Sequence, residues 1–171
     1  MDSGYTHVVE YDGGAMVDQI TRYPDRNRFL SPLRRRNGDT RWALTLWPLP
    51  EGMSYDDAEH LPRTTYLQAA GTADALMVDI RKPGGAQWGC ESVRYFVGHS
   101  STPAPLDVPI KLPQRAEMVS ADEVFGADEA ADLFLAYQQT GDLPPGYALR
   151  PVECYRADGS IVAIAADTAR Q

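Results

Sequence analysis

Apolar and polar residues alternate with a period of two through much of the chain, the pattern of strands with one buried face. Residues 5–11 and 15–21 flank Asp12-Gly13-Gly14, a run that tolerates positive φ, and so predict a hairpin. Residues 41–47 place Trp42, Leu44 and Leu46 on one face and stop where Pro48 and Pro50 remove ladder donors. Ser54-Tyr55-Asp56-Asp57 predicts one capped helical turn through His60, closed by Pro62, and residues 64–69 a further strand. Residues 75–81 and 92–97 form the clearest pair. In the first, Leu76, Val78 and Ile80 share a face, with Met77 and Asp79 on the other. Strands over 108–112, 147–155 and 161–165 follow, the last two joined by Asp158-Gly159. Pro151 puts its strand at an edge or a bulge.

One stretch has a sustained helical period. Ser120-Ala121-Asp122-Glu123 fits a capping box, and Gly126 interrupts that first turn. Beyond it Ala127, Ala130, Ala131, Phe134 and Tyr137 recur at helical spacing and should face a sheet, with Asp128 and Asp132 in solvent and Gly141 as the cap. The expected class is α+β: a mainly antiparallel sheet of about six to eight strands with one principal helix in the C-terminal half packed on it. At 171 residues, the chain reads as a single domain, 1–171.

Composition narrows the partners. Acids outnumber bases by 24 to 16, a net charge of −8, which argues against nucleic acid and anionic membrane surfaces. No stretch approaches the roughly 20 apolar residues of a membrane helix, and the first residues lack the basic and apolar regions of a signal peptide. Cys90 and Cys154 are expected as two reduced thiols in or near the core, which with the missing signal points to the cytoplasm. Residues 1–41 carry seven arginines against six acids, whereas the remainder is strongly acidic. The only basic run, Arg34-Arg35-Arg36, reads as a solvated loop pairing with the acidic body.

Chemistry is sparse. His7, His60 and His99 are too scattered for a local metal motif, no glycine loop cradles phosphate, and no cofactor is implied. Asp56-Asp57, Asp122-Glu123 and Asp128-Glu129 sit at predicted helix starts, where acids complement the dipole without catalysis. A small hydrolase built on His99, with Ser100 or a distant acid, is the rival class, and a secretion-associated adaptor or chaperone a third. The expectation is a protein that is not an enzyme. Between residues 97 and 120 lie Pro103, Pro105, Pro109 and Pro113. Proline lowers the entropy lost on ordering, so the segment is either a preformed recognition surface or a rigid cover for a sheet edge.

Val119-Ser120-Ala121-Asp122-Glu123-Val124-Phe125, Asp128-Glu129-Ala130-Ala131-Asp132-Leu133-Phe134, Tyr137-Gln138-Gln139-Thr140-Gly141 and Tyr147-Ala148-Leu149-Arg150-Pro151 form a connected pattern. It resembles the small immunity proteins encoded beside polymorphic toxins in actinobacteria, among them the mycobacterial immunity factors for necrotizing NAD-glycohydrolase toxins. The resemblance implies a cytoplasmic, non-enzymatic antitoxin that binds a cognate secreted toxin domain and plugs its NAD-binding cleft. Read with that implication, residues 98–115 are the expected plug: His99 at its base and Lys111, Gln114 and Arg115 as the polar tip. Gln114 offers donors and an acceptor to a cleft built for an amide-bearing cofactor, and Lys111 and Arg115 could meet its acids. An acidic tip centred on Asp107 is the alternative if that cleft is basic.

Overall fold

The computed structural model describes residues 4–165. It is α+β and antiparallel throughout. Strands β1 (Tyr5–Tyr11) and β2 (Met16–Thr21) form the first hairpin, turning through Asp12, Gly13 and Gly14, all at positive φ. Asp12 can hold that conformation because its carboxylate accepts from the Trp42 and Ala43 amides and from Arg36. Next come β3 (Ala43–Pro48), β4 (Tyr66–Thr72), β5 (Ala75–Pro83), β6 (Ser92–Gly98), β7 (Val108–Leu112), β8 (Arg115–Val119), β9 (Ala148–Tyr155) and β10 (Ile161–Ala163). Eight of them make one sheet in the order β10-β9-β6-β5-β4-β3-β1-β2, and β7–β8 stand apart as a hairpin.

Both faces of the sheet are covered. On the first, Leu44, Leu46, Leu67, Val78 and Ile80 pack under helix α3 (Ala127–Thr140) and helix α1 (Asn27–Leu33). Phe134 and Tyr137 point inward as the period requires, while Asp128 and Asp132 stay exposed and pair with Arg34 and Arg26. Helix α1 has no counterpart in the sequence expectation, because Pro32 lies inside it and it is only seven residues long. It forms by packing: Phe29, Leu30 and Leu33 are buried, and the Phe29 ring sits 5.6 Å from that of Phe134.

On the second face the β7–β8 hairpin lays Ile110, Leu112 and Val119 over Ala43, Ala70, Met77 and Phe96. Gly71, at φ +127, is required there: a Cβ would run into the Ala75 carbonyl and the Ile110 side chain. Helix α2 (Tyr55–Ala58), with its Ser54–Asp57 capping box, helps cover Val8 and Trp47 farther along. A polar row crosses the same face, in which Thr45 bonds Gln68, Gln68 bonds the fully buried Asp79, and Asp79 pairs with Arg94 at 2.8 Å. Because β3 and β5 are buried on both sides, their residues are hydrophobic almost continuously rather than in clean alternation.

One expectation needs correction. Cys90 and Cys154 are not a pair of reduced thiols but a disulfide, with Cα atoms 5.8 Å apart. The reason is register: β6 pairs with β9 so that Val93 faces Cys154, and the bend before β6 folds Cys90 against that pair, closing a 64-residue separation. Pro151 lies at a bulge, as one of its two alternatives held, since β10 rather than β9 forms the edge. Among the described residues no helix is long and apolar enough to cross a membrane.

Candidate interaction site

The proline-rich segment does not form one long loop. Pro103 and Pro105 lie in the connection between β6 and β7, Pro109 lies within β7, and Pro113 opens the turn to β8. The connection, residues 99–107, is largely exposed and is anchored at its first residue.

On one flank His99 follows the last residue of β6. Its Nδ1 is 2.8 Å from the Asp122 carbonyl oxygen, and its Nε2 is 2.8 and 2.9 Å from the two carboxylate oxygens of Glu129, in the first turn of α3. Tyr147 donates to the same carboxylate at 2.9 Å, and the His99 ring stacks on Phe125 at 4.4 Å between centroids. Both ring nitrogens face acceptors, an arrangement that favours the protonated ring, which alone donates from both. Burial disfavours that charge, but hydrogen bonds to Glu129 and the Asp122 carbonyl, with the charges of both residues, outweigh it and raise the His99 pKa above the ordinary value. Burial, then the Glu129 hydrogen bond and charge, push Tyr147 up to about 12.

On the other flank Glu123 closes the capping box by accepting from the Ser120 amide, and takes a two-pronged bond from Arg150 on β9 at 2.7 and 3.0 Å. Arg150 lies over the Phe96 ring. The loop is thus anchored at His99 and passes the Glu123–Arg150 pair. A small cavity of about 50 Å³ lies between residues 100–104 and the Glu123–Arg150 pair. A broader hollow of about 750 Å³ opens beside His99, walled by Trp88, Tyr95, Tyr147 and Lys82. The Ser100 hydroxyl accepts from the Thr102 amide, and among the described residues no hydrogen bond joins His99 to a serine.

Of the expected plug residues, Lys111, Gln114 and Arg115 come together and His99 does not join them. The three are exposed at the far end of the hairpin, roughly 14 Å along the strand from its base. Gln114 takes the left-handed conformation in the turn (φ +62), and Arg115 pairs with Glu117 at 2.8 Å. The hairpin lies flat on the sheet, with the Lys111 backbone against Gly38. Asp107 is exposed at the end of the loop. Glu123, Glu129, Tyr147 and Arg150 escaped the sequence reading as site residues. The two acids were visible only as helix-start residues, and nothing local marks Tyr147 or Arg150.

The described residues hold no group of three or more side chains suited to a metal ion. The arrangement is that of an α+β protein with an exposed connection anchored at His99. No protein family, curated protein or solved structure matches the chain.

Proposed function

We propose that this protein is an antitoxin: a non-catalytic immunity protein that binds the catalytic domain of a cognate secreted toxin, an NAD-glycohydrolase in the reading its C-terminal pattern suggests, and occludes the active-site cleft. The observation that carries this reading is the anchoring of the exposed connection 99–107 at His99, which Glu129 and the Asp122 carbonyl fix to the folded body. A loop ordered in advance loses little entropy on binding, which is what a blocking surface needs. The engagement of both His99 nitrogens with the fold supports it, since a general base needs one of them free to reach a substrate. The hollow beside His99 is the one feature that favours a small hydrolase instead.

Titration of the toxin's activity tests the proposal. Inhibition is expected to be complete at one equivalent under tight-binding conditions and independent of time. Time-dependent loss at sub-stoichiometric protein, or turnover abolished by His99→Ala, would assign chemistry to this chain and end the reading. A Lys111→Ala, Gln114→Ala, Arg115→Ala variant with unchanged melting temperature is expected to inhibit at least tenfold less well; unweakened inhibition removes the hairpin tip from the interface. The place of action in this proposal is the cytoplasm of the producing cell. The disulfide weighs against it, because cytosolic thiols are kept reduced.

A further inference from the structure

Fourteen arginines serve a chain of net charge −8, and most of those on the folded body are matched with acids. Arg26 and Arg34 pair with Asp132 and Asp128, Arg63 with Glu10, Arg94 with Asp79 and Arg150 with Glu123. Arg81 bonds Ser92 instead, and among the described residues Arg22, Arg156, Arg28, Arg35 and Arg41 have no acid partner; the last three lie together. Their side chains make no ion pair and no hydrogen bond among the described residues. All three line one hollow of about 530 Å³, together with Tyr11, Asn27 and Ser31. In the Arg34-Arg35-Arg36 run, Arg34 and Arg36 pair with acids and Arg35 does not, while Arg35 and Arg36 both line this hollow.

The hollow has a built side. Arg36 is buried and fixed by Asp12 at 2.8 Å and by the Ala43 and Pro32 carbonyls. Burial lowers its pKa, Asp12 pulls the other way, and the charges of Arg41 and Arg35 push it down again. Cations are thus crowded here without acids enough to neutralise them. Like charges held close cost free energy in the unliganded protein, and an anion entering between them recovers it.

We infer that the hollow bounded by Arg28, Arg35 and Arg41 binds the phosphate chain of a small molecule. Three guanidinium forks with a phenol, an amide and a hydroxyl, against the one lining carboxylate of Asp12 that Arg36 and two amides already engage, form a set dominated by donors, which a single carboxylate cannot fill. Two or three linked phosphoryl groups supply the needed charges within one compact ligand. The volume lies in the range of small-molecule sites. A long polyanion fits less well, because beyond the hollow it meets the exposed acids Asp18, Asp25 and Asp39 and the net negative charge of the chain. None of these arginines is among the residues proposed to meet a toxin, although Lys111 of the hairpin packs against Gly38 in the turn that carries Arg41, and the test uses no toxin.

The test is calorimetric titration of the full chain with tripolyphosphate, adenosine triphosphate and hexaglutamate in low salt. Tripolyphosphate is expected to bind one to one, and an Arg28→Gln, Arg35→Gln, Arg41→Gln variant to bind it at least tenfold more weakly with its ligand-free melting temperature unchanged. If the triple variant melts early, Arg41→Gln alone, at an exposed position, is expected to weaken binding about threefold. Equal affinity for the two phosphate ligands assigns the site to the phosphate chain alone; tighter binding of the nucleotide adds contacts to its nucleoside. Absence of saturable binding, equal binding by the folded variants, or hexaglutamate binding as tightly as tripolyphosphate overturns the inference, the last in favour of an acidic peptide.

Discussion

His99 shows how little a residue's type says about its role. A histidine beside two serines invites a catalytic reading, yet its ring is spent joining the end of β6 to α3. A raised folded pKa means that the native state holds the proton more tightly than the unfolded chain. Its contribution to stability is therefore complete below about pH 6.5 and is lost as pH rises through the elevated folded value. The stability difference between the wild type and His99→Gln, from denaturant unfolding, is expected to be larger at pH 5.5 than at pH 9. Equal differences would mean that the imidazolium pair does not brace the loop. His7 works in the opposite direction: burial lowers it to about 4, so the native state resists its protonation. His7→Gln is therefore expected to flatten the loss of stability as pH falls from about 6.5 towards 4.

At the scale of elements, α3 is both cover for the sheet and mount for the loop. Its buried stripe of Ala130, Ala131, Phe134 and Tyr137 fixes its rotation, and that rotation brings Glu129 within reach of His99 and Tyr147. Phe134 is fully buried against Phe29 and the sheet, so Phe134→Ala is expected to cost about 3–5 kcal/mol in denaturant unfolding. A loss under about 1 kcal/mol would show that the two-helix layer collapses around the gap at little cost. The β7–β8 hairpin lies over interior strands, so the proline-rich segment covers a face of the sheet and not an edge. Much of that segment covers the second face of the sheet, and only residues 99–107 remain as an exposed connection.

Across the whole molecule, the disulfide ties the bend before β6 to β9, beside the last hairpin of the chain. Closing a 64-residue separation removes loop entropy from the unfolded chain worth about 4 kcal/mol. Unfolding with and without reductant is expected to differ by up to that amount, and no difference would make the pair irrelevant to stability. Alkylation of protein taken directly from cells decides the compartment: two free thiols fit the proposed cytoplasmic action, and a protected pair fits an oxidising one.

Local chemistry alone was enough for most of the secondary structure. The Asp12-Gly13-Gly14 turn, the capping boxes at Ser54 and Ser120, the Gly141 cap and the two faces of β5 are all properties of a few adjacent residues, so they are legible in order along the chain. Helix α1 and strand β8 were not, because each is short and is stabilised by burial against distant residues rather than by its own periodicity. The sites depended still more on the fold. Glu129 lies 30 positions from His99, Arg150 lies 27 from Glu123, and Arg28, Arg35 and Arg41 meet only once the first hairpin and α1 are folded together. Turns and caps are decided within a few residues, where the interacting groups are covalent neighbours. Which acid takes which base, and which arginines are left without one, is decided by sheet register and helix rotation, and those exist only in the tertiary structure.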